Sequence, residues 1–153
     1  MLATILCTDI VDSTAKAAEL GDAAWMALMH RHDRTARAIF REQRGVEINT
    51  TGDGFLVAFD SPGRAVQAAH RLAAAAAALG LSIRSGLHVG ECVRSAGSVP
   101  SGVALNVAVR IAALAGGGEV LTSQTVRDLT VGGGLVFEER GEHALKGVPG
   151  PGG

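Results

Sequence analysis

The chain has 153 residues, 47% of them hydrophobic, and 14 basic against 15 acidic side chains give it a net charge of −1. This length is typical of one domain with a real core. No apolar run is long enough to cross a membrane and no basic cluster is interleaved with aromatics, which argues against a membrane or polymeric nucleic acid as partner. The two cysteines lack metal-ligand spacing and no signal-peptide pattern is present, which predicts a cytoplasmic protein.

The first part of the chain predicts a strand, a long helix and a hairpin. The strand spans residues 3–9, and the helix is capped by the Asp-Ser-Thr sequence that follows and extends, with a break at Gly21, to about residue 44. On this helix His32 has Arg and Asp neighbours, so we expect it to be solvated. Two short strands then flank a Gly-Asp-Gly turn, which predicts that Asp53 lies at the tip of an antiparallel hairpin.

The second part alternates helices and strands. The predicted elements are a helix from Ser61-Pro62 to Gly80, a strand over 82–93, a helix over 103–115, a strand over 119–122, a short helix capped by Ser123, and strands over 135–139 and 144–146. The order β-α-β-β-α-β with an appended α-β-β predicts a ferredoxin-like α+β fold, with helices on one face of an antiparallel-rich sheet. The domain spans residues 1–148, and residues 149–153 are predicted to form a flexible tail.

Asp9 and Asp53 each interrupt an apolar, strand-like run. A carboxylate is costly to bury without a cation or hydrogen-bond donors, and carboxylate oxygens are ligands that hard cations such as Mg²⁺ prefer. The alternative is capping and turn formation, which is the role we assign to Asp12. The pattern therefore favours a metal-binding role for Asp9 and Asp53.

A second pair of polar residues lies on the predicted helix over 103–115. Asn106 and Arg110 are four residues apart and therefore share one face of that helix. The rest of the helix is Val, Ala, Leu and Ile, so a cation there is unusual. A structural salt bridge or an exposed helix edge is the alternative explanation for Arg110.

Five segments, in the same order along nearly the whole chain, carry a family resemblance. They are residues 4–14 (TILCTDIVDST), 51–55 (TGDGF), 86–91 (GLHVGE), 106 with 110 (N and R), and 142–147 (EHALKG). In these segments the chain resembles the catalytic domain of class III adenylate and guanylate cyclases. Each segment alone is a weak signal, but five in the family's order leave little room for chance.

The resemblance implies a two-metal site. Asp9, Asp53 and the backbone carbonyl of Ile10 would hold two Mg²⁺ or Mn²⁺ ions against a nucleoside triphosphate. The ribose 3′-hydroxyl would attack the α-phosphorus, pyrophosphate would leave, and the product would be a cyclic nucleotide.

The resemblance also implies that the site is shared by two chains. Asn106 would orient the ribose, Arg110 would stabilise the developing phosphoryl charge, and Lys146 would bind phosphate, although a solvated lysine is the alternative. In this family the metal-binding aspartates and the Asn/Arg pair come from different subunits. The implied assembly is a head-to-tail homodimer with two equivalent sites.

The chain departs from the family at the two positions that read the purine base. Asn49 stands where a lysine is usual, and Val99 stands where an acid or threonine is usual, unless the loop register places Ser98 there. The amide of Asn49 can donate and accept a hydrogen bond, whereas Val99 can do neither. Because that amide can serve adenine and the acid typical of guanine reading is absent, we expect ATP as substrate, with GTP possible.

Two other functions remain open. A degenerate cyclase domain could bind nucleotide, or serve as a dimerisation or regulatory module, without turnover. A phosphoacceptor receiver domain is suggested by Asp9, Asp12, Asp53 and the distant Lys146. A receiver needs parallel strands joined by crossover helices, whereas residues 49–59 predict an antiparallel hairpin.

Overall fold

A computed structural model of the chain describes residues 2–51, 54–92, 103–130, 136–139 and 145–148, and the side chains of 49–51, 136–139 and 145–148 are outside that description. The elements within these ranges are β1 (Leu2–Ile10), α1 (Ser13–Leu20), α2 (Asp22–Glu42), β2 (Val46–Thr51), β3 (Gly54–Phe59), α3 (Pro62–Ala78), β4 (Ile83–Glu91), α4 (Val103–Leu114), β5 (Val120–Thr122), α5 (Gln124–Leu129), β6 (Val136–Glu139) and β7 (Leu145–Val148). The order confirms the predicted α+β fold.

The strands form a single mixed sheet. Over the described ranges its seven strands have the order β2-β3-β1-β4-β5-β7-β6. Only β4 and β5 pair in parallel, and the other neighbours are antiparallel. In the β2–β3 pair Thr51 is opposite Gly54, which confirms the predicted antiparallel hairpin. This connection leaves no room for the crossover helix that a receiver domain needs.

Helices pack against both faces of the sheet. Side chains alternate between the faces along β1, so Leu6 and Ile10 join the core under α2 and α3, whereas Ile5 and Cys7 pack against α4. The prediction that helices cover one face was therefore incomplete. The reason is visible in β1 itself, because every residue from Ala3 to Thr8 is buried, and continuous burial means that both faces of the strand are covered.

The helix boundaries follow local sequence signals. Gly21 has φ 86°, a left-handed conformation that favours glycine, and it separates α1 from α2 at the predicted break. Asp12 lies at the N-cap position of α1 as expected, but its side chain makes no capping hydrogen bond. Ser61 does cap α3, because its Oγ accepts a hydrogen bond from the backbone N of Arg64 at 3.3 Å. Among the helices that are described, none is both long and apolar enough to span a bilayer.

The prediction for His32 was wrong. Its side chain is only 1% exposed, and its ring lies 6.1 Å from that of Phe55, centroid to centroid. The buried residues of α2 are His32, Ala36 and Phe40, which share one face because they are spaced by four. The Arg and Asp neighbours occupy the other faces of the helix. Their polarity was therefore no guide to whether His32 is exposed or buried.

Close packing of α4 on β4 depends on Gly86. A Cβ atom at this position would lie 2.2 Å from the backbone N of Ala112 and 2.6 Å from the carbonyl O of Ala108. Backbone atoms of a packed helix cannot relieve the clash by a rotamer change, as a side chain can. We therefore expect Gly86→Ala to lower the free energy of unfolding by about 3 kcal/mol, measured by urea denaturation.

Gly90 on the same strand provides the matched control. A Cβ there would lie 3.2 Å from the methyl group of Ala104 and 3.6 Å from Nε2 of His88, and both of these are side-chain atoms. We expect Gly90→Ala to cost about 1 kcal/mol or less, because a small shift relieves that contact. Equal losses in the two variants would show that α4 does not lie against Gly86 as described.

Candidate functional site

Asp9 lies near the C-terminal end of β1 and is paired with an arginine on the neighbouring strand. It is directly opposite Arg84 of β4, and the Nε and Nη2 atoms of Arg84 both donate to Oδ2 of Asp9, at 3.2 and 2.9 Å. The two side chains are 39% and 35% exposed. No side chain in the described part of the molecule donates to Oδ1 of Asp9. Among the described residues, Oδ2 is therefore held by Arg84, whereas Oδ1 has no side-chain donor.

Asp9 and Arg84 line two cavities at this end of the sheet. One has a volume of about 350 Å³ and is also lined by Cys7, Thr8, Leu56, Val109, Ala112 and Ala113. The other, of about 560 Å³, opens at the start of α1 and is also lined by Ile10, Asp12, Ser13, Thr14, Ala15 and Ala18. The ion pair is thus shared by a mainly apolar pocket under α4 and a more polar groove at the N-terminus of α1.

The turn between β1 and α1 brings the first turn of α1 next to Asp9. Val11 donates its backbone N–H to the carbonyl of Ser82 at 2.9 Å, and Asp12 adopts φ 56°. The first backbone N–H groups of a helix have no partner within the helix, and their dipoles favour an anion. The groove therefore combines a carboxylate on one wall with anion-binding geometry on another.

The β1–β3 ladder ends next to Asp9. Its last pair is Thr8 with Phe55, and the backbone N of Phe55 also donates to Oγ1 of Thr8 at 3.2 Å. Asp9 follows Thr8, and Gly54 precedes Phe55. The predicted metal ligand Asp53 is the next residue before Gly54 in the sequence, but it lies outside the described residues.

Asn106 and Arg110 are on the solvent-exposed side of α4. The helix buries Ala104, Ala108, Ile111 and Ala112 against the sheet, and both predicted site residues point away from that face. Arg110 forms no ion pair with any described acid, so the salt-bridge alternative finds no support in these ranges. Neither residue lines the two cavities that Asp9 lines. Within one chain, the described structure does not bring the Asn/Arg pair to Asp9.

Of the remaining predicted site residues, Ile10 is fully described, Asn49 and Lys146 are placed by their backbones, and Val99 is not described. Ile10 ends β1 and its side chain is buried, 3% exposed. Asn49 lies on β2 opposite Leu56, next to a register shift in that pair, and Lys146 lies on β7 between β5 and β6. Val99 lies outside the described residues.

Cys7 contributes a hydrophobic wall rather than a reactive group. Burial, and secondarily the charge of Asp9, raise the pKa of its thiol to about 11. A thiol with this pKa is protonated at neutral pH, which makes it a weak nucleophile. Cys7 is therefore assigned a packing role in the wall of the pocket under α4.

Sequence reasoning missed Arg84. The signal was present in the sequence, because Arg84 is the only lysine or arginine in the strand predicted over residues 82–93. A charged side chain within a strand usually needs a partner. Its partner could not be found from the sequence, since the pairing joins residues 75 positions apart. Only the β1–β4 register places the two side chains opposite each other.

Solved structures of nucleotide cyclase domains share this fold. The adenylyl cyclase CyaB from P. aeruginosa is 18% identical with a TM-score of 0.84, and the alignment covers 99% of this chain and 95% of that one. The monomeric guanylyl cyclase domain of the RhoGC fusion protein from the aquatic fungus Blastocladiella emersonii is 17% identical with a TM-score of 0.88, covering 98% and 96%. Adenylate cyclases from Trypanosoma brucei, in their monomeric state, are 22% identical with a TM-score of 0.80, covering 95% and 86%.

The chain belongs to the adenylate and guanylate cyclase catalytic domain family, whose family model matches residues 2–152. This confirms the resemblance carried by the five sequence segments. No curated protein sequence matches the chain significantly. Because adenylyl and guanylyl cyclases both share the fold, the fold does not choose between ATP and GTP.

Proposed function

We propose that the chain is a purine nucleotide cyclase that converts ATP into 3′,5′-cyclic AMP and pyrophosphate at a site shared by two copies of the chain. The observation that carries this proposal is the setting of Asp9 beside a groove that ends at the first turn of α1. Its carboxylate is partly exposed, and Oδ1 has no side-chain donor among the described residues. The two buried free cysteines are in keeping with the reducing cytoplasm as its compartment.

The residues at this end of the sheet suit a hard divalent cation. Carboxylate and carbonyl oxygens are its preferred ligands, and Asp9 and Ile10 offer both. No three metal-ligating side chains come together among the described residues, so the proposal assigns a further carboxylate to Asp53. Two Mg²⁺ or Mn²⁺ ions held there would supply Lewis-acid activation of the 3′-hydroxyl and neutralise charge on the phosphates.

The groove at α1 is proposed to hold the triphosphate. The free N–H groups at the start of the helix can donate to phosphate oxygens, and the hydroxyls of Ser13 and Thr14 line the same groove. Lys146 is proposed as an additional phosphate ligand. These contacts would hold the polyphosphate still while the ribose hydroxyl attacks the α-phosphorus.

The exposed face of α4 is proposed to complete the site of a second copy. Asn106 and Arg110 are surrounded by exposed apolar side chains, since Val103, Val109 and Leu114 are 75%, 45% and 65% exposed. An exposed apolar surface that includes an arginine is typical of a protein interface. In a head-to-tail homodimer, each chain would supply Asp9 to one site and the Asn/Arg pair to the other.

ATP is proposed as the substrate on the strength of Asn49, whose amide can pair with the adenine edge. The same position also favours a second candidate function. Because Asn49 and Val99 replace both of the usual base-reading side chains, the domain could instead bind nucleotide or a partner without turnover. Retention of Asp9, Asp53, Asn106 and Arg110 in the sequence supports the enzyme.

The test is product formation from ATP and from GTP, each with Mg²⁺ and with Mn²⁺, resolved by chromatography. We expect cyclic AMP from ATP and a lower rate from GTP. Faster formation of cyclic GTP would reverse the base assignment but keep the enzyme class. Folded protein that binds ATP and forms no cyclic product under any of these conditions would favour the regulatory module.

A further inference from the structure

Arg84 restrains the carboxylate that the proposed function gives to the metal. Two of its nitrogens, Nη2 and Nε, donate to Oδ2 of Asp9 at 2.9 and 3.2 Å, and the two residues are cross-strand partners on adjacent antiparallel strands. The backbone ladder therefore fixes their separation. An ion pair in this position does more than add surface charge, because Arg84 lines both cavities that Asp9 lines.

The pair creates a competition for Oδ2. A divalent cation that uses both oxygens of Asp9 needs the guanidinium to release one of them, and a cation on Oδ1 alone still experiences the repulsion of a positive charge a few ångströms away. In the described structure no other base contacts Asp9. The positive charge of Arg84 therefore opposes the binding of a cation to Asp9.

We infer that Arg84 is a built-in counter-ion for Asp9, which neutralises and positions the carboxylate in the metal-free protein and lowers its affinity for divalent cations. This inference rests on the proposed metal-binding role of Asp9. Arg84 is thus a positioning residue, and metal binding includes an exchange of ion partners.

The test measures Mn²⁺ binding directly, without nucleotide and without turnover. The electron paramagnetic resonance signal of free Mn²⁺ is followed as protein is added, for the wild type, Arg84→Gln and Arg84→Lys. We expect Arg84→Gln, which removes the charge, to bind Mn²⁺ about tenfold more tightly, because a unit charge at this range is removed from a partly screened site. Arg84→Lys keeps the charge and should bind within about twofold of the wild type.

Two controls identify the source of the effect. Arg71→Gln removes an arginine from a similar ion pair, with Glu42 at 2.9 Å, on the exposed surface away from Asp9, and it should leave Mn²⁺ binding unchanged. Asp9→Asn combined with Arg84→Gln should lose the gain in affinity. As a second readout, Mn²⁺ should raise the melting temperature of Arg84→Gln more than that of the wild type, which also shows that the variant is folded.

The failures are distinguishable. If Asp9→Asn weakens Mn²⁺ binding but Arg84→Gln leaves it unchanged or weakens it, Asp9 is a metal ligand and Arg84 has only a structural role, which overturns this inference. If Asp9→Asn changes Mn²⁺ binding in neither the wild-type nor the Arg84→Gln background, the proposed metal-binding function of Asp9 fails, and the inference fails with it.

Discussion

Replacing Asp9 with asparagine is expected to lower cyclic AMP formation by about a thousandfold or more, since a bound metal contributes several kcal/mol to such a transition state. Asparagine keeps the size of the side chain and removes the negative charge, so the loss reports on metal binding rather than on packing. Activity is measured with saturating ATP at several Mn²⁺ concentrations, because a weakened site regains part of its activity at high metal concentration.

The neighbouring acid provides the control for this variant. Asp12 lines the same groove but is assigned to the turn before α1, so Asp12→Asn should change the rate by no more than about threefold. Asp9→Asn also leaves Arg84 without its partner. Because both side chains are partly exposed, the fold should lose only about 1 kcal/mol, which thermal melting can verify. If Asp9→Asn and Asp12→Asn lost the same amount of activity, the metal-binding role could not be assigned to Asp9 rather than to Asp12.

Mixing two inactive variants is expected to restore activity. Asp9→Asn and Arg110→Ala each destroy one half of every site in their own homodimers. In a mixed dimer, the intact Asp9 of one chain meets the intact Arg110 of the other, so one of the two sites is complete. Random exchange makes half of the dimers mixed, and the recovered activity should therefore approach about a quarter of that of the wild type.

The control mixtures combine variants of the same half-site. Asp9→Asn mixed with Asp53→Ala, or Arg110→Ala mixed with Asn106→Ala, should recover nothing, because no mixed dimer then contains a complete site. Subunit exchange is verified by labelling the two chains with different fluorophores. If the complementary variants exchange subunits and still form no cyclic AMP, either the site lies within one chain or the roles of these residues are assigned wrongly.

Local signals predicted much of the fold. The break at Gly21, the capped start of α3 and the hairpin between β2 and β3 all follow from glycine, proline and serine chemistry that acts over a few residues. The same is true of Asn106 and Arg110, since spacing by four places two residues on one face of any helix. Features that depend only on residues close in sequence could therefore be predicted without a structure.

Features that depend on the order of the strands in the sheet could not be predicted from the sequence. The pairing of Asp9 with Arg84 requires β4 to lie next to β1, and that neighbour is specified by the whole chain. The burial of His32 depends in the same way on which face of α2 meets β3. In both cases the residue type was known from the sequence, but the neighbours of the side chain were not.

We propose that two copies of this chain build each cyclase site. The decisive experiment is to measure the rate of cyclic AMP formation per chain, with ATP and Mn²⁺, across the protein concentrations over which sedimentation shows monomers becoming dimers. We expect the rate per chain to rise with concentration in proportion to the fraction of dimer. A rate per chain that stays constant while monomers predominate, or dimeric protein that forms no cyclic AMP, would contradict it.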